Sequence, residues 1–227
     1  GKVLFFSLEM SKEQLAQRLL CIAGKVDMVR IQSGFCMGSE RPKVEAARSA
    51  VRDMDLIIDD DASPSILDVR SKARQALASG PVSLVVIDYI QLMQTGHRRE
   101  SRQVEVSEIS RQIKAMAREL AVPVLALAQL NRQADTPDGM PRLSQLRESG
   151  AIEQDADIVI LLSRKGADNE NVINVDIAKQ RNGPTGVAEL VFYRNIQVFD
   201  DPKELAPAAP PEAYGVEAFD EFDDVPF

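Results

Sequence analysis

Glu9, Asp88 and Gln129 each follow directly on an apolar run: Glu9 closes Val3–Leu8, Asp88 closes Leu84–Ile87, and Gln129 closes Pro123–Ala128. A buried parallel strand that ends in a polar side chain delivers it to the carboxyl edge of an α/β sheet, where ligands bind. There one carboxylate can orient or deprotonate an attacking water. A second can organise Mg²⁺, usually through a water, and an amide can sense a phosphate by hydrogen bonding. Any one of the three alone is equally well read as a strand-terminal group meeting solvent. If the three strands are parallel neighbours, the side chains share one crevice.

The elements that must position these groups follow from hydrophobic period and punctuation. Ser11 caps a helix to about Ala23, Gln14 completes a capping box, and Leu15, Leu19 and Ile22 give the helix its apolar face. Pro42 to about Met54 is a weaker helical stretch, and Leu56–Ile58 is a short strand before the acidic triplet Asp59–Asp60–Asp61. Ser65–Leu77 is a helix exposing Arg70, Lys72 and Arg74, and Gly80–Pro81 stops it. Thr95–Arg102 is a polar loop. Gln103–Leu120 is the most regular helix, with Val106, Ile109, Ile113, Met116 and Leu120 at helical spacing. Asn131–Ser144 is read as a long mobile loop. Ile158–Leu162, Val172–Ile177 and Val187–Phe192 are the last strands, the final two flanking a hairpin turn over Lys179–Gly186. Strands alternating with helices, then a hairpin, predict an α/β fold: a mostly parallel sheet flanked by helices, with an antiparallel edge.

The chain has 227 residues, 44% of them apolar, which suffices for one core with a tail. No apolar run approaches membrane-spanning length. Cys21 and Cys36 match no metal or redox spacing, and they read as reduced thiols of a cytoplasmic protein. The formal charge of −8 would disfavour a nucleic-acid partner if it were spread evenly. From Asp201 onward, however, there are eight acids and one base, which leaves 27 acids and 26 bases in residues 1–200. A near-neutral body can still meet a phosphate backbone through a local basic loop. The predicted division is therefore a folded unit over 1–200 and a disordered acidic, Pro/Ala-rich tail over 201–227. His97, the lone histidine, has no ligand-spaced partner and reads as a loop residue, not a metal ligand.

The segment Phe6–Ser7–Leu8–Glu9–Met10, the Asp88 strand, Arg147–Asp157 and Lys179–Gly186 together resemble, in order and spacing, the motifs of bacterial replicative DNA helicases of the DnaB family. The likeness spans about residues 1–200 and implies their RecA-like motor fold. It implies ATP and Mg²⁺ as cofactors, single-stranded DNA as track, a homo-hexameric ring, and primase and a helicase loader as partners of the intact protein. Glu9 would be the catalytic glutamate that polarises water, Asp88 the Mg²⁺-holding aspartate, and Gln129 the link between the γ-phosphate and the DNA-facing loop. Lys179 and Arg181 would act in trans on a neighbouring subunit's ATP. A hairpin tip can project two cations, and a guanidinium fork suits phosphate oxygens. Arg147, Glu148 and Gly150 would belong to the inner loop that tracks DNA. Arg98, Arg99 and Arg102 form a second basic loop that could also face the channel.

The sequence departs from the family in two places. No Gly-x-x-x-x-Gly-Lys-[Ser/Thr] occurs, so no nest of amides cradles the phosphates. The expectation is a motor domain cut off before its first strand, phosphate loop and helix. The family's N-terminal collar domain is likewise missing. Such a piece would not hydrolyse ATP, and the faces of the Glu9 and Asp88 strands would be laid bare. The tail's end, with Asp223, Asp224, Pro226 and Phe227, is similar to the acidic tip of single-stranded DNA-binding proteins and could dock a replisome partner. Two other readings stay open: a RecA-like repair or recombination ATPase, and a non-catalytic ring-assembly protein that naturally lacks a phosphate loop.

Overall fold

Four short apolar segments pair side by side in one direction. β1 (Lys2–Ser7), β2 (Leu56–Asp59), β3 (Val82–Asp88) and β4 (Val124–Ala126) form a parallel sheet in the order β2-β1-β3-β4. The computed structural model describes residues 1–34, 37–96, 101–130, 141–143, 150–166 and 170–202. Register places Ser7 of β1 opposite Asp88 of β3, and Ile87 opposite Ala126 of β4. The strand ends that carry the candidate residues are therefore adjacent.

The crossover helices begin where capping chemistry dictates. α1 (Lys12–Gly24) starts at Ser11, whose side chain accepts from the Gln14 amide while the Gln14 carboxamide accepts from the Ser11 amide. α4 (Ile66–Ala78) starts with the same reciprocal pairing between Ser65 and Asp68. Each box satisfies two orphan donors of the first turn. α5 (Arg102–Leu120) buries Val106, Ile109, Ile113 and Met116, four of the five residues its period marks. The core lies under one face of the sheet, where Leu4 and Phe6 of β1 and Val85 and Ile87 of β3 pack on Ile66 and Val69 of α4 and Ile109 and Met116 of α5. Fully burying a side chain of this size contributes about 1.5–3 kcal/mol.

α1 departs from its predicted face. Its buried residue is Cys21, whereas Ile22 is exposed, because α1 packs chiefly on α3 (Arg41–Arg52) and the small α2 (Met28–Ser33). At its far end, the carbonyl of Asn195 accepts from the Met28 amide at 2.8 Å and from the Cys21 thiol at 3.6 Å. Burial raises the Cys21 thiol above its ordinary pKa, and the charge of Asp27 adds to this. Arg102 belongs to α5 and not to a loop: it pairs with Glu105 and donates to the carbonyls of Gln91 and Met93. The predicted exposed cations of α4 are engaged, Arg70 and Arg74 on the Glu119 carboxylate and Lys72 on Asp59 at 2.6 Å.

A second, antiparallel sheet holds β5 (Ile158–Arg164), β6 (Val172–Gln180), β7 (Gly186–Tyr193) and β8 (Val198–Asp200) in sequence order. The antiparallel edge expected from the hairpin is thus a four-stranded sheet of its own, and among the described residues neither β4 nor β5 has a partner on its outer side. Bare apolar surface gathers on these two strands. Leu125 and Leu127 on and just beyond β4, and Ile158, Ile160 and Leu162 on β5, are exposed, while Leu4, Phe6, Val86 and Ile87 are buried. Of the expected bare faces on the Glu9 and Asp88 strands, α4 and α5 cover the one carrying Leu4, Phe6, Val85 and Ile87, whereas Val3, Phe5 and Leu84 stay half-buried, and the exposed leucines and isoleucines of β4 and β5 lie on sheet edges.

Candidate active site at the carboxyl edge of the parallel sheet

Glu9 is placed by the residues around it. Beyond β1 the ladder runs one step further, the Leu8 amide donating to the Asp88 carbonyl at 2.8 Å. Leu8 is buried, and Ser7 turns its hydroxyl onto the Met10 carbonyl at 2.6 Å. With Leu8 held inward, the next side chain, Glu9, is exposed on the rim. Asp88 is half-buried at the end of β3. Burial lifts its carboxyl above the ordinary range, the charge of Glu9 lifts it further, and Arg18 of α1 partly offsets both. The two acids are therefore electrostatic neighbours, and Arg18 is a third member of the rim that the residue pattern of α1 gave no reason to single out.

Gln129 stands on the other side of Asp88. β4 is shorter than predicted, three residues at a sheet edge, so Gln129 lies three positions past its end. Its backbone is held from the Asp88 side: the Gln91 carboxamide donates to the Gln129 carbonyl at 3.1 Å and accepts from its amide at 3.2 Å. Glu9, Asp88 and Gln129 thus follow three adjacent parallel strands at one edge, as their positions in sequence suggested.

Two repelling carboxylates at one rim favour a cation between them and an incoming phosphate. Among the described residues no group of three or more His, Cys, Asp or Glu side chains could hold a metal ion. Mg²⁺ takes one or two carboxylates and fills its octahedron with phosphate oxygens and waters, a donor set that the half-buried Asp88 with Glu9 beside it can supply. Asp88 is the residue that would hold it.

Lys179 and Arg181 are elsewhere and otherwise engaged. Lys179 is not at a hairpin tip but within β6, opposite Val159 of β5. Its ammonium donates to the carbonyls of Glu153, Gln154 (3.4 Å) and Ala156 (2.8 Å), at the C-terminal end of α6 (Gly150–Asp155). Arg181 donates to the Gln154 carbonyl at 2.8 Å and faces Asp157 at 3.6 Å. Cations suit a helix C-terminus, whose last carbonyls have no partners within the helix. Asp157 also pairs with Lys114, and that hydrogen bond leads in holding its carboxyl below the ordinary range. The Ser110 hydroxyl donates to Asp155 at 2.8 Å, tying α6 to α5. Gly150, the one described member of the DNA-loop set, is the exposed first residue of α6. Arg147, Glu148, His97, Arg98, Arg99 and Cys36 lie outside the described residues, as do Asp223, Asp224, Pro226 and Phe227 of the tail.

A parallel sheet covered on one face by α4 and α5, with two acids and an amide at its carboxyl edge and an antiparallel sheet following, is the arrangement of a RecA-like α/β core. The chain belongs to the DnaB-like helicase C-terminal domain family, whose profile matches residues 1–201. It is 44% identical over 204 residues to the replicative DNA helicase DnaB of Geobacillus stearothermophilus, covering 87% of this chain and 45% of that protein. It is 41% identical, with the same coverage, to the replicative DNA helicase DnaC of Bacillus subtilis (strain 168). Among solved structures, a DnaB-like replicative helicase studied with primase superposes with a TM-score of 0.84 at 37% identity, over 88% of this chain and 50% of that one. A separately solved ATPase domain also gives 0.84, at 38% identity, over 88% of this chain and 74% of that one. The chain spans about 45% of the length of the two curated relatives.

Proposed function

We propose that this chain is the motor portion of an ATP-driven replicative helicase that moves 5′→3′ along single-stranded DNA and unwinds the duplex at the fork. The observation that carries the reading is the convergence of Glu9, Asp88 and Gln129 at one sheet edge, with the charge of Glu9 felt by Asp88. ATP supplies the reactive phosphoanhydride, and Mg²⁺ neutralises its charge. Glu9 orients the attacking water and takes its proton. Asp88 would hold the metal, and Gln129 would report the presence of the γ-phosphate. In the assembled ring Lys179 and Arg181, which here hold the carboxyl end of α6, would turn to the ATP of a neighbouring subunit, and Arg147, Glu148 and Gly150 contact the DNA backbone without reading sequence. The working form is a homo-hexamer in the cytoplasm that meets primase and a loader, and the acidic tail offers Asp223, Asp224, Pro226 and Phe227 to a replisome partner.

The 227 residues carry no phosphate loop, so this chain alone does not turn over ATP. Leu125, Leu127, Ile158, Ile160 and Leu162 are suited to cover by a strand and helix that would also bring that loop. The test is made on the protein with its complete motor domain. Glu9→Gln should retain ATP binding and lose ATP hydrolysis and forked-duplex unwinding by about 10²–10⁴-fold, the usual contribution of a general base. Unwinding at the wild-type rate would overturn the assignment.

A further inference from the structure

We infer that Gln91 is a positioning residue, whose carboxamide fixes Gln129 beside Asp88. The inference rests on the role of Gln129 given above. β4 ends at Ala126, and two backbone bonds carry the pairing past it: the Leu127 amide donates to the Ile87 carbonyl at 2.9 Å, and the Ile90 amide donates to the Leu127 carbonyl at 3.0 Å. From there the ladder needs another donor and acceptor to reach Gln129. Gln91 supplies both from one side chain, 3.1 Å to the carbonyl and 3.2 Å from the amide. A primary amide presents donor and acceptor side by side, as a peptide group does, so Gln91 acts as one more rung. A glutamate at position 91 would keep the acceptor and lose the donor, and an alanine would lose both.

The rung is itself anchored. Arg102, at the start of α5, donates to the carbonyls of Gln91 and Met93, the latter at 2.9 Å, and pairs with Glu105. Glu105 in turn accepts from the Thr95 amide at 3.1 Å. The segment that follows Asp88 is thereby fixed from α5 and fixes Gln129 in its turn. Gln91 touches backbone only in these contacts, so it orients Gln129 without needing to meet a nucleotide.

The test compares wild type, Gln91→Ala, Gln91→Glu, Gln129→Ala and the Gln91→Ala/Gln129→Ala double variant in the protein with its complete motor domain. The readouts are basal and DNA-stimulated ATPase and the KM for ATP. Loss of the two bonds should cut the DNA-stimulated increment about tenfold and leave basal rate and KM within about twofold. Gln91→Glu, which sets a carboxylate oxygen against the Gln129 carbonyl, should lose at least as much, and the double variant should match Gln129→Ala, because both changes break one linkage. Gln91→Ala with normal stimulation, while Gln129→Ala loses it, would overturn the inference and leave the role of Gln129 intact. A double variant lower than Gln129→Ala by the full Gln91 factor would also overturn it, since the two residues would then act separately. Normal stimulation in Gln129→Ala would refute the role of Gln129 itself, and the inference with it. Should Gln91→Ala not fold, Gln91→Glu decides on the same readouts.

Discussion

Replacing Lys179 by methionine keeps the aliphatic stem and removes the ammonium that caps α6. Three carbonyls then lose a donor: those of Glu153, Gln154 and Ala156. The Gln154 contact is long at 3.4 Å, and Arg181 still serves that carbonyl at 2.8 Å, so two bonds carry the loss. A hydrogen bond to a charged group contributes about 1.5–3 kcal/mol when sheltered, and these two are only partly so. About 2 kcal/mol in total is the reasonable expectation, or ~30-fold in an opening equilibrium. A helix of six residues has no stability of its own, so the loss falls on α6 directly. Amide hydrogen exchange at the helix-bonded amides reads it, Ala156 among them, whose amide donates to the Ile152 carbonyl at 3.0 Å: they should exchange ~30-fold faster, with α5 and β3 unchanged. Exchange across α6 that stays within about twofold of wild type would refute the capping argument.

Two further outcomes follow from the same geometry. Asp88 has a carboxyl raised by burial and by Glu9, so its contribution to stability is complete below the ordinary value of 3.8 and is lost as pH rises through the folded-state value. Asp88→Asn should therefore melt higher than wild type at about pH 7 without metal or nucleotide, and the advantage should disappear near about pH 3.5; calorimetry across pH checks it. Ser110→Ala strands one carboxylate oxygen of Asp155 in the α5–α6 seam, at 2.8 Å from the lost hydroxyl. It should cost ~1–2 kcal/mol in urea unfolding, and no change would show that water replaces the hydroxyl.

Much of this arrangement is legible in the residues, and the illegible parts have physical reasons. α1, α4 and α5 declare themselves because capping chemistry and a sustained period act within the segment: Ser11 with Gln14, Ser65 with Asp68, and the Val106–Met116 stripe. Glu9 and Asp88 are placed by their runs because an apolar segment that stops at an acid marks where a strand leaves the core, and the order of the motifs tells them from ordinary strand ends. α2, α6 and β8 are too short to show a period. Lys179 reads as part of a turn because its strand continues through polar residues, and only pairing with Val159 makes it one. Gln91 has no signature, since what it holds is a backbone 38 positions away. The separation into two sheets depends on which edges find partners, and no pattern within β4 or β5 records that.

The Asn195 carbonyl latches the outer turn of the antiparallel sheet to Cys21 and Met28, at the far end of the 13-residue α1. At 1.5 Å per residue that helix is a rod of about 20 Å, and Glu9 sits at its other end. The Cys21 thiol lies closer to the Val26 carbonyl, at 3.0 Å, so the Met28 amide is the main tie of the outer turn to this corner. One backbone hydrogen bond thus joins the turn between β7 and β8 to the end of α1 opposite Glu9.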